Sequence, residues 1–270
     1  MAEISSNLPI LLIGAGNMGG ALVAGWLASG AVDARSLILI DPTPGEAARA
    51  AVAAGAGLNP PRSKLLTART VVIAVKPQTW RVVVAELAPY LAGDATVISV
   101  MAGVAAADLR AIFASQPIVR VMPTTAAAVG KGAASLWSRT AEARAAARAL
   151  FSPLGAVIDL ADEDMIHAAT AASGSAPAYF YAMVEAMQHA AKDVGLEPEA
   201  ARLLARAALI GAAALLDCGG AEASELRRQV TSPGGTTEAA LRVLAADGAL
   251  DQLMVRAVRA AAARSRELAS

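Results

Sequence analysis

The run GAGNMG, Gly14 to Gly19, follows the apolar segment Pro9–Ile13 and opens an Ala-rich stretch. Its G-x-G-x-x-G spacing, set between a strand pattern and a helix pattern, is suited to holding a dinucleotide. The first glycine allows a tight turn and the second lets the backbone approach a pyrophosphate. The third lets helix and strand pack closely, and the helix start then offers free N–H groups to the phosphates. A glycine turn without a ligand is the plain alternative, and the flanking strand and helix weigh against it. Gly14, Gly16, Asn17, Met18 and Gly19 are therefore candidate cofactor contacts. The next apolar run ends in Asp41, placed where an acid bonds the adenosine ribose hydroxyls and favours NADH over NADPH. Asp41 could equally just start the turn at Pro42. The nearest following Arg is Arg49, so no guanidinium stands immediately ready for a 2′-phosphate.

A second cluster lies at QVTSPGGTTEAAL, Gln229 to Leu241. Thr231, Ser232, Thr236 and Thr237 surround a Pro-Gly-Gly core just ahead of a helix-like segment. A helix N-terminus attracts carboxylates. Glycine lets the N–H groups of Gly234, Gly235 and Thr236 turn inward, and the hydroxyls add further partners. A well-capped helix, with one hydroxyl as cap and Glu238 nearby, would use fewer of these groups. Two further segments break an expected element. In SGSAPAY, Ser173 to Tyr179, Gly174 and Pro177 interrupt a helix and free the backbone near Ser175. In AVKPQ, Lys76 and Pro77 follow a strand at its carboxyl end, where ligands bind in parallel sheets. His167 and His189 are the only histidines, and no cysteine or paired acid stands at ligand spacing, so no metal site is expected.

These residues need a scaffold. PILLI, SLILI, TVVIAV, TVISV, PIVRVM, AASLW and AVIDL are short apolar runs separated by Ala-rich helical stretches. Runs that are apolar throughout fit strands covered on both faces. The alternation points to an α/β, Rossmann-type, doubly wound and mainly parallel sheet. From Asp162 the strand pattern stops and the reading is all-α. Two domains are expected: residues 1–161 for the dinucleotide, and an all-helical part, 162–270, that holds the hydroxyl cluster and is a candidate for substrate binding and dimerisation.

Composition narrows the function classes. The 270 residues carry 23 basic and 23 acidic side chains, so no electrostatic footprint for nucleic acid appears. Hydrophobic residues reach 56% and aromatic ones only 3%, so the cores must be aliphatic. No uncharged apolar run is long enough for a membrane span, and the N-terminus lacks a signal-peptide pattern. The single Cys218 cannot form an intrachain disulfide, which fits a reducing, cytoplasmic location.

GAGNMG, AVKPQ, VMPTTAAAVGKG (Val121–Gly132), SGSAPAY and VTSPGGTT occur in an order that resembles the pyrroline-5-carboxylate reductase family over nearly the whole chain. SGSxPAY followed by TSPGGTT is far more specific than the glycine turn. The resemblance implies reduction of a cyclic imine carboxylate to L-proline with NADPH or NADH. It implies a substrate pocket formed by Ser232, Gly234, Gly235, Thr236 and Thr237, with Thr237 bonding the ring nitrogen. It places Ser175 toward nicotinamide and substrate, and Ala74, Val75, Lys76 and Pro77 by the nicotinamide ribose. Thr237, Ser175 and Ser232 are then the catalytic candidates. Thr124, Ala126 and Ala176 stand where the family usually has Asn, Pro and Gly. These departures motivate one alternative, an enzyme acting on another imine or a β-hydroxy acid. A second alternative is a non-catalytic NAD(P)H-binding protein.

The run ARLLARAALIGAAALL spreads Leu203, Leu204, Ala207, Ala208, Ile210, Gly211, Ala214 and Leu215 around most of a helix, with Arg202 and Arg206 on one edge. Such a helix needs cover on several sides. A homodimer is expected, and the resemblance leaves a ring of dimers open.

Overall fold

The computed structural model describes residues 9–269. Contacts divide the chain into two compact units, one of Met1–Gly174 with Ala261–Ser270 and one of Ser175–Ala260.

The first unit is built on an eight-stranded sheet of order β3-β2-β1-β4-β5-β6-β7-β8. The strands are β1 Ile10–Ile13, β2 Leu37–Ile40, β3 Gly57–Leu58, β4 Thr70–Ile73, β5 Thr96–Ser99, β6 Ile118–Pro123, β7 Gly132–Ser138 and β8 Gly155–Asp159. All neighbouring pairs are parallel except β6 with β7. The antiparallel pair follows from the short connection after Pro123, which leaves no room for a crossover helix. The helices of this unit are α1 Asn17–Ala28, α2 Glu46–Ala53, α3 Trp80–Leu87, α4 Ala106–Arg110, α5 Ala141–Phe151 and α6 Met165–Ala169.

Strand residues alternate between two cores. Ile10 and Leu12 join Leu22, Trp26 and Phe151 on one face. Leu11 and Ile13 join Trp80, Leu87 and Phe113 on the other. A two-residue period with both faces covered is why these strands read as continuous apolar runs. Trp26 anchors α1: its ring stands edge-on to Phe151 at 6.3 Å, and its Nε1 donates to the Leu150 carbonyl at 3.0 Å.

The seven strands expected from sequence are present, with ends shifted by a residue or two. The two-residue β3 carries too short a signal to be read from its composition. The contact division falls at Gly174–Ser175, later than the 161/162 boundary expected where the strand pattern stops. The reason is that α6 and the following π-helical turn, Thr170–Gly174, stay with the sheet. Ile166 and Ala171 are buried there. The chain's last turn belongs to the same unit, where the Leu268 backbone lies against Gly103.

The second unit holds α7 Ala176–Asp193, α8 Pro198–Gly219, α9 Ala223–Gln229, α10 Thr236–Leu244 and the start of α11 Ala249–Glu267. Pro177 and Pro198 sit in the first turns of α7 and α8, where a missing N–H costs nothing. Gly195 and Gly220, both at positive φ, follow the ends of these two helices. Among the described residues no helix is long and apolar enough to cross a membrane.

Candidate functional site: a glycine turn and a hydroxyl-rich helix start

In the first unit the chain leaves β1 at the point where the sheet order reverses, since β2 lies on one side of β1 and β4 on the other. Such a switch point opens a crevice at the carboxyl ends of the strands. Gly14 turns there with φ +92, and a Cβ on it would lie 2.8 Å from the Ala74 backbone. A Cβ on Gly19 would collide with the Gly14 carbonyl. A Cβ on Gly16 would meet nothing within 4 Å. Two glycines are thus required by packing, while the middle one faces open space where a ligand's phosphates can approach. The first intrahelical bond of α1 runs from Gly20 N–H to Gly16 carbonyl, 2.7 Å. The N–H groups of Asn17, Met18 and Gly19 lie ahead of it. These features fit a dinucleotide.

Ala74 belongs to the same crevice, its N–H donating to the Ile13 carbonyl at 2.8 Å. Val75 is half-buried, and Lys76 and Pro77 are exposed in the turn before α3. Asp41 is buried at 8% exposure. One carboxylate oxygen accepts from Ala15 N–H at 2.6 Å and the other from Thr43 N–H at 2.7 Å. Of the two readings of Asp41, these bonds bear on the turn. It starts the turn at Pro42, and it also ties that turn to the glycine loop.

In the second unit α10 begins at Thr236 with Gly235 as its cap residue, and no hydroxyl caps it. Glu238, in the first turn, fastens the approach to the helix instead: its carboxylate accepts from the N–H of Gly234, the residue before the cap, at 2.9 Å. Gly234 takes φ +70 to allow this turn. The first intrahelical bond is Ala239 N–H to Gly235 carbonyl, 3.2 Å. Thr231 is committed to the Arg227 carbonyl at 2.6 Å. The hydroxyls of Ser232, Thr236 and Thr237 make no hydrogen bond among the described residues. No side chain caps the helix, so capping does not explain these three hydroxyls. Ser175 is half-buried and precedes α7, its carbonyl accepting from Ala178 N–H at 3.1 Å.

Thr124 is buried, and its hydroxyl accepts from Ala133 N–H at 3.0 Å while its own N–H donates to the Ala133 carbonyl at 2.9 Å. The departure from Asn at this position is thus occupied in fastening β6 to β7. His167 is buried against Ser265, and His189 is exposed on α7. Cys218 is exposed. Among the described residues no three His, Cys, Asp or Glu side chains converge on a metal-sized site.

Two residues of consequence carried no readable signal. Asn59, in a Leu-Asn-Pro-Pro turn, bonds the Asp41 backbone twice. Arg120 lies buried in β6 and pairs with Glu163 at 3.0 Å.

A mainly parallel sheet with a glycine turn at its β1–β4 switch point defines a Rossmann-type, NAD(P)-binding oxidoreductase fold. Known proteins sharpen this class. Residues 163–268 match a family profile described as pyrroline-5-carboxylate reductase dimerisation. Residues 9–103 match one described as NADP oxidoreductase coenzyme F420-dependent. The chain is 39% identical to pyrroline-5-carboxylate reductase of Pseudomonas aeruginosa, covering 96% of each chain. It is 38% identical to that of Haemophilus influenzae, covering 96% of this chain and 97% of the relative. The solved pyrroline-5-carboxylate reductase of Coxiella burnetii superposes with a TM-score of 0.88 at 33% identity, covering 98% of this chain and 99% of that one. The chain belongs to the pyrroline-5-carboxylate reductase family.

Proposed function

We propose that the protein reduces L-1-pyrroline-5-carboxylate to L-proline with NADPH or NADH, as the last step of proline biosynthesis. The observation that carries this reading is the start of α10, where three hydroxyls remain uncommitted beside a helix N-terminus that no side chain caps. When bound, the reduced nicotinamide supplies the hydride that converts the imine carbon to its amine form.

The chain's own part is binding and orientation. Gly16 and the first N–H groups of α1 would hold the pyrophosphate, with Ala74, Val75, Lys76 and Pro77 bordering the same crevice. The N–H groups of Thr236 and Thr237 would receive the substrate carboxylate, supported by the Ser232 and Thr236 hydroxyls and by the helix dipole, while Gly234 and Gly235 shape the turn, their own N–H groups donating to Glu238 and to the Ser232 carbonyl rather than turning inward. Thr237 would bond the ring nitrogen, and Ser175 would assist at the start of α7. A protonated imine is already electrophilic, so no dedicated protein acid is required. Orientation of two bound reactants can lower a barrier by up to roughly 7–11 kcal/mol. The protein acts as a homodimer formed through its helical unit, further assembly into a ring being compatible with it, and the free thiol of Cys218 suits the reducing cytoplasm.

A substrate panel tests the reading against an enzyme for β-hydroxy acids and against an idle binding protein. Steady-state NADH and NADPH oxidation should be fastest with the five-membered imine carboxylate. Preference for a β-hydroxy acid, or no turnover with any imine, would replace it.

A further inference from the structure

Asn59 takes φ +44, one of two non-glycine residues at positive φ among the described residues. It also precedes Pro60, and a following proline pushes a residue toward extended backbone. The side chain is exposed, so core packing does not demand this conformation. Strain held at an exposed position needs another cause.

The cause lies at the end of β2. β3 pairs with β2 through Gly57 and Leu58, and Asn59 N–H continues the ladder to the Leu39 carbonyl at 2.8 Å. The next N–H of the ladder, toward the Asp41 carbonyl, would come from Pro61, which has none. The Asn59 side-chain amide supplies it. Its oxygen accepts from Asp41 N–H at 3.0 Å, and its nitrogen donates to the Asp41 carbonyl at 2.8 Å. The amide replaces a peptide group and satisfies both backbone groups of a buried residue. On the opposite edge of β2, Gly14 N–H donates to the Ile40 carbonyl at 2.9 Å. Asp41 then reaches from this fixed frame to the Ala15 N–H at 2.6 Å. Asn59, Asp41 and Ala15 thus form one chain of bonds ending in the glycine turn.

We propose that Asn59 is a positioning residue for the nicotinamide dinucleotide: it sets the conformation of the Ala15–Gly16 turn through Asp41 and thereby the affinity for cofactor, without touching it. The proposal rests on reading that turn as the cofactor site. Because the turn serves the pyrophosphate, which both nucleotides share, NADH and NADPH are affected alike. The chemical step is not.

The test uses the full chain with Asn59→Gly and Asn59→Asp. Glycine accepts the positive φ without strain and lacks the amide, so this variant folds while losing the bonds. Aspartate can accept from Asp41 N–H and cannot donate to its carbonyl. Three readouts are taken: Kd for NADH and NADPH from dinucleotide fluorescence, kcat at saturating cofactor, and amide exchange of Ala15 in the cofactor-free protein. For both variants the expected result is an affinity lower by about tenfold for both nucleotides. Faster exchange at Ala15 should accompany it, with kcat kept within about twofold. Wild-type affinities and wild-type Ala15 protection in the glycine variant would overturn the proposal. So would unchanged Kd with a reduced kcat. If the wild-type protein itself bound neither nucleotide, the cofactor reading would fail, a result separable from any variant effect.

Discussion

The imidazole Nδ1 of His167 lies 2.8 Å from the Ser265 hydroxyl, joining α6 to the last turns of α11 across most of the helical sequence. Both side chains are buried. One turn before His167, Glu163 accepts from the Arg120 guanidinium at 3.0 Å and from Ala106 N–H at 2.7 Å. The end of the chain is thus fastened to the sheet unit by a compact polar cluster rather than by apolar packing alone.

This arrangement makes stability sensitive to acid. Burial, aided by the positive charge of Arg120, holds His167 below its ordinary pKa, while Asp164 and Glu163 act the other way and Arg266 adds to the depression. The unfolded chain therefore binds a proton more readily than the folded one. Stability is full above the ordinary histidine pKa and falls as pH drops through the lower folded value. The slope for one proton is at most about 1.4 kcal/mol per pH unit. Denaturant melts across this pH range should show the loss, and His167→Asn should flatten it. An unchanged slope in the variant would assign the acid sensitivity elsewhere.

Thr237 tests the hydroxyl cluster at α10. Thr237→Ala should lower kcat/KM for pyrroline-5-carboxylate more than tenfold, or about 1.4 kcal/mol or more of transition-state binding. The Kd for cofactor should stay near wild type, and Thr237→Ser should recover most of the loss. Wild-type kinetics in the alanine variant would remove Thr237 from the site.

Asp41 bears on cofactor choice. Its buried carboxylate stands at the end of β2, where a 2′-phosphate would meet a like charge. Wild-type protein should use NADH. Asp41→Ser removes the charge and also the clamp on Ala15, so efficiency should drop with both nucleotides and drop more with NADH. The ratio therefore moves toward NADPH. A heavy wild-type preference for NADPH that the substitution leaves unchanged would contradict this reading.

The helical unit points to a dimer. On α8 only Ala201 and Ala205 are buried. Leu203, Leu204, Ile210, Leu215 and Leu216 are each more than half exposed, and nothing lies within 4 Å of a Cβ built on Gly211. An apolar surface of this extent calls for a partner, and the interface should exceed the ~1,200–2,000 Å² of standard complexes. Light scattering at low micromolar concentration should give at least twice the chain mass of 27.1 kDa. Full activity at the single-chain mass would rule the dimer out.

The sheet was legible because its strands are buried on both faces and read as unbroken aliphatic runs, and the glycine turn because packing forbids a side chain at Gly14 and Gly19. The all-round apolar character of α8 was equally plain. What escaped was contact made through polar atoms far apart in sequence. Nothing in Leu-Asn-Pro-Pro shows that the Asn59 amide will stand in for a peptide group. Nothing near Arg120 shows that Glu163 will meet it. Asp41 looked like either a ribose ligand or a turn starter, and only its geometry revealed a clamp on Ala15. The 161/162 boundary followed the loss of strand pattern, whereas contacts keep α6 and the end of α11 with the sheet.

The most direct measurement follows the hydride itself. Pyrroline-5-carboxylate is incubated with the purified protein and NADH or NADPH deuterated at the reactive nicotinamide carbon, on each face in turn. The expected product is L-proline carrying one deuterium at the former imine carbon, from one face only and in step with cofactor oxidation. Unlabelled proline from both labelled faces, or cofactor that stays reduced in the presence of the imine, would contradict direct hydride transfer by this chain.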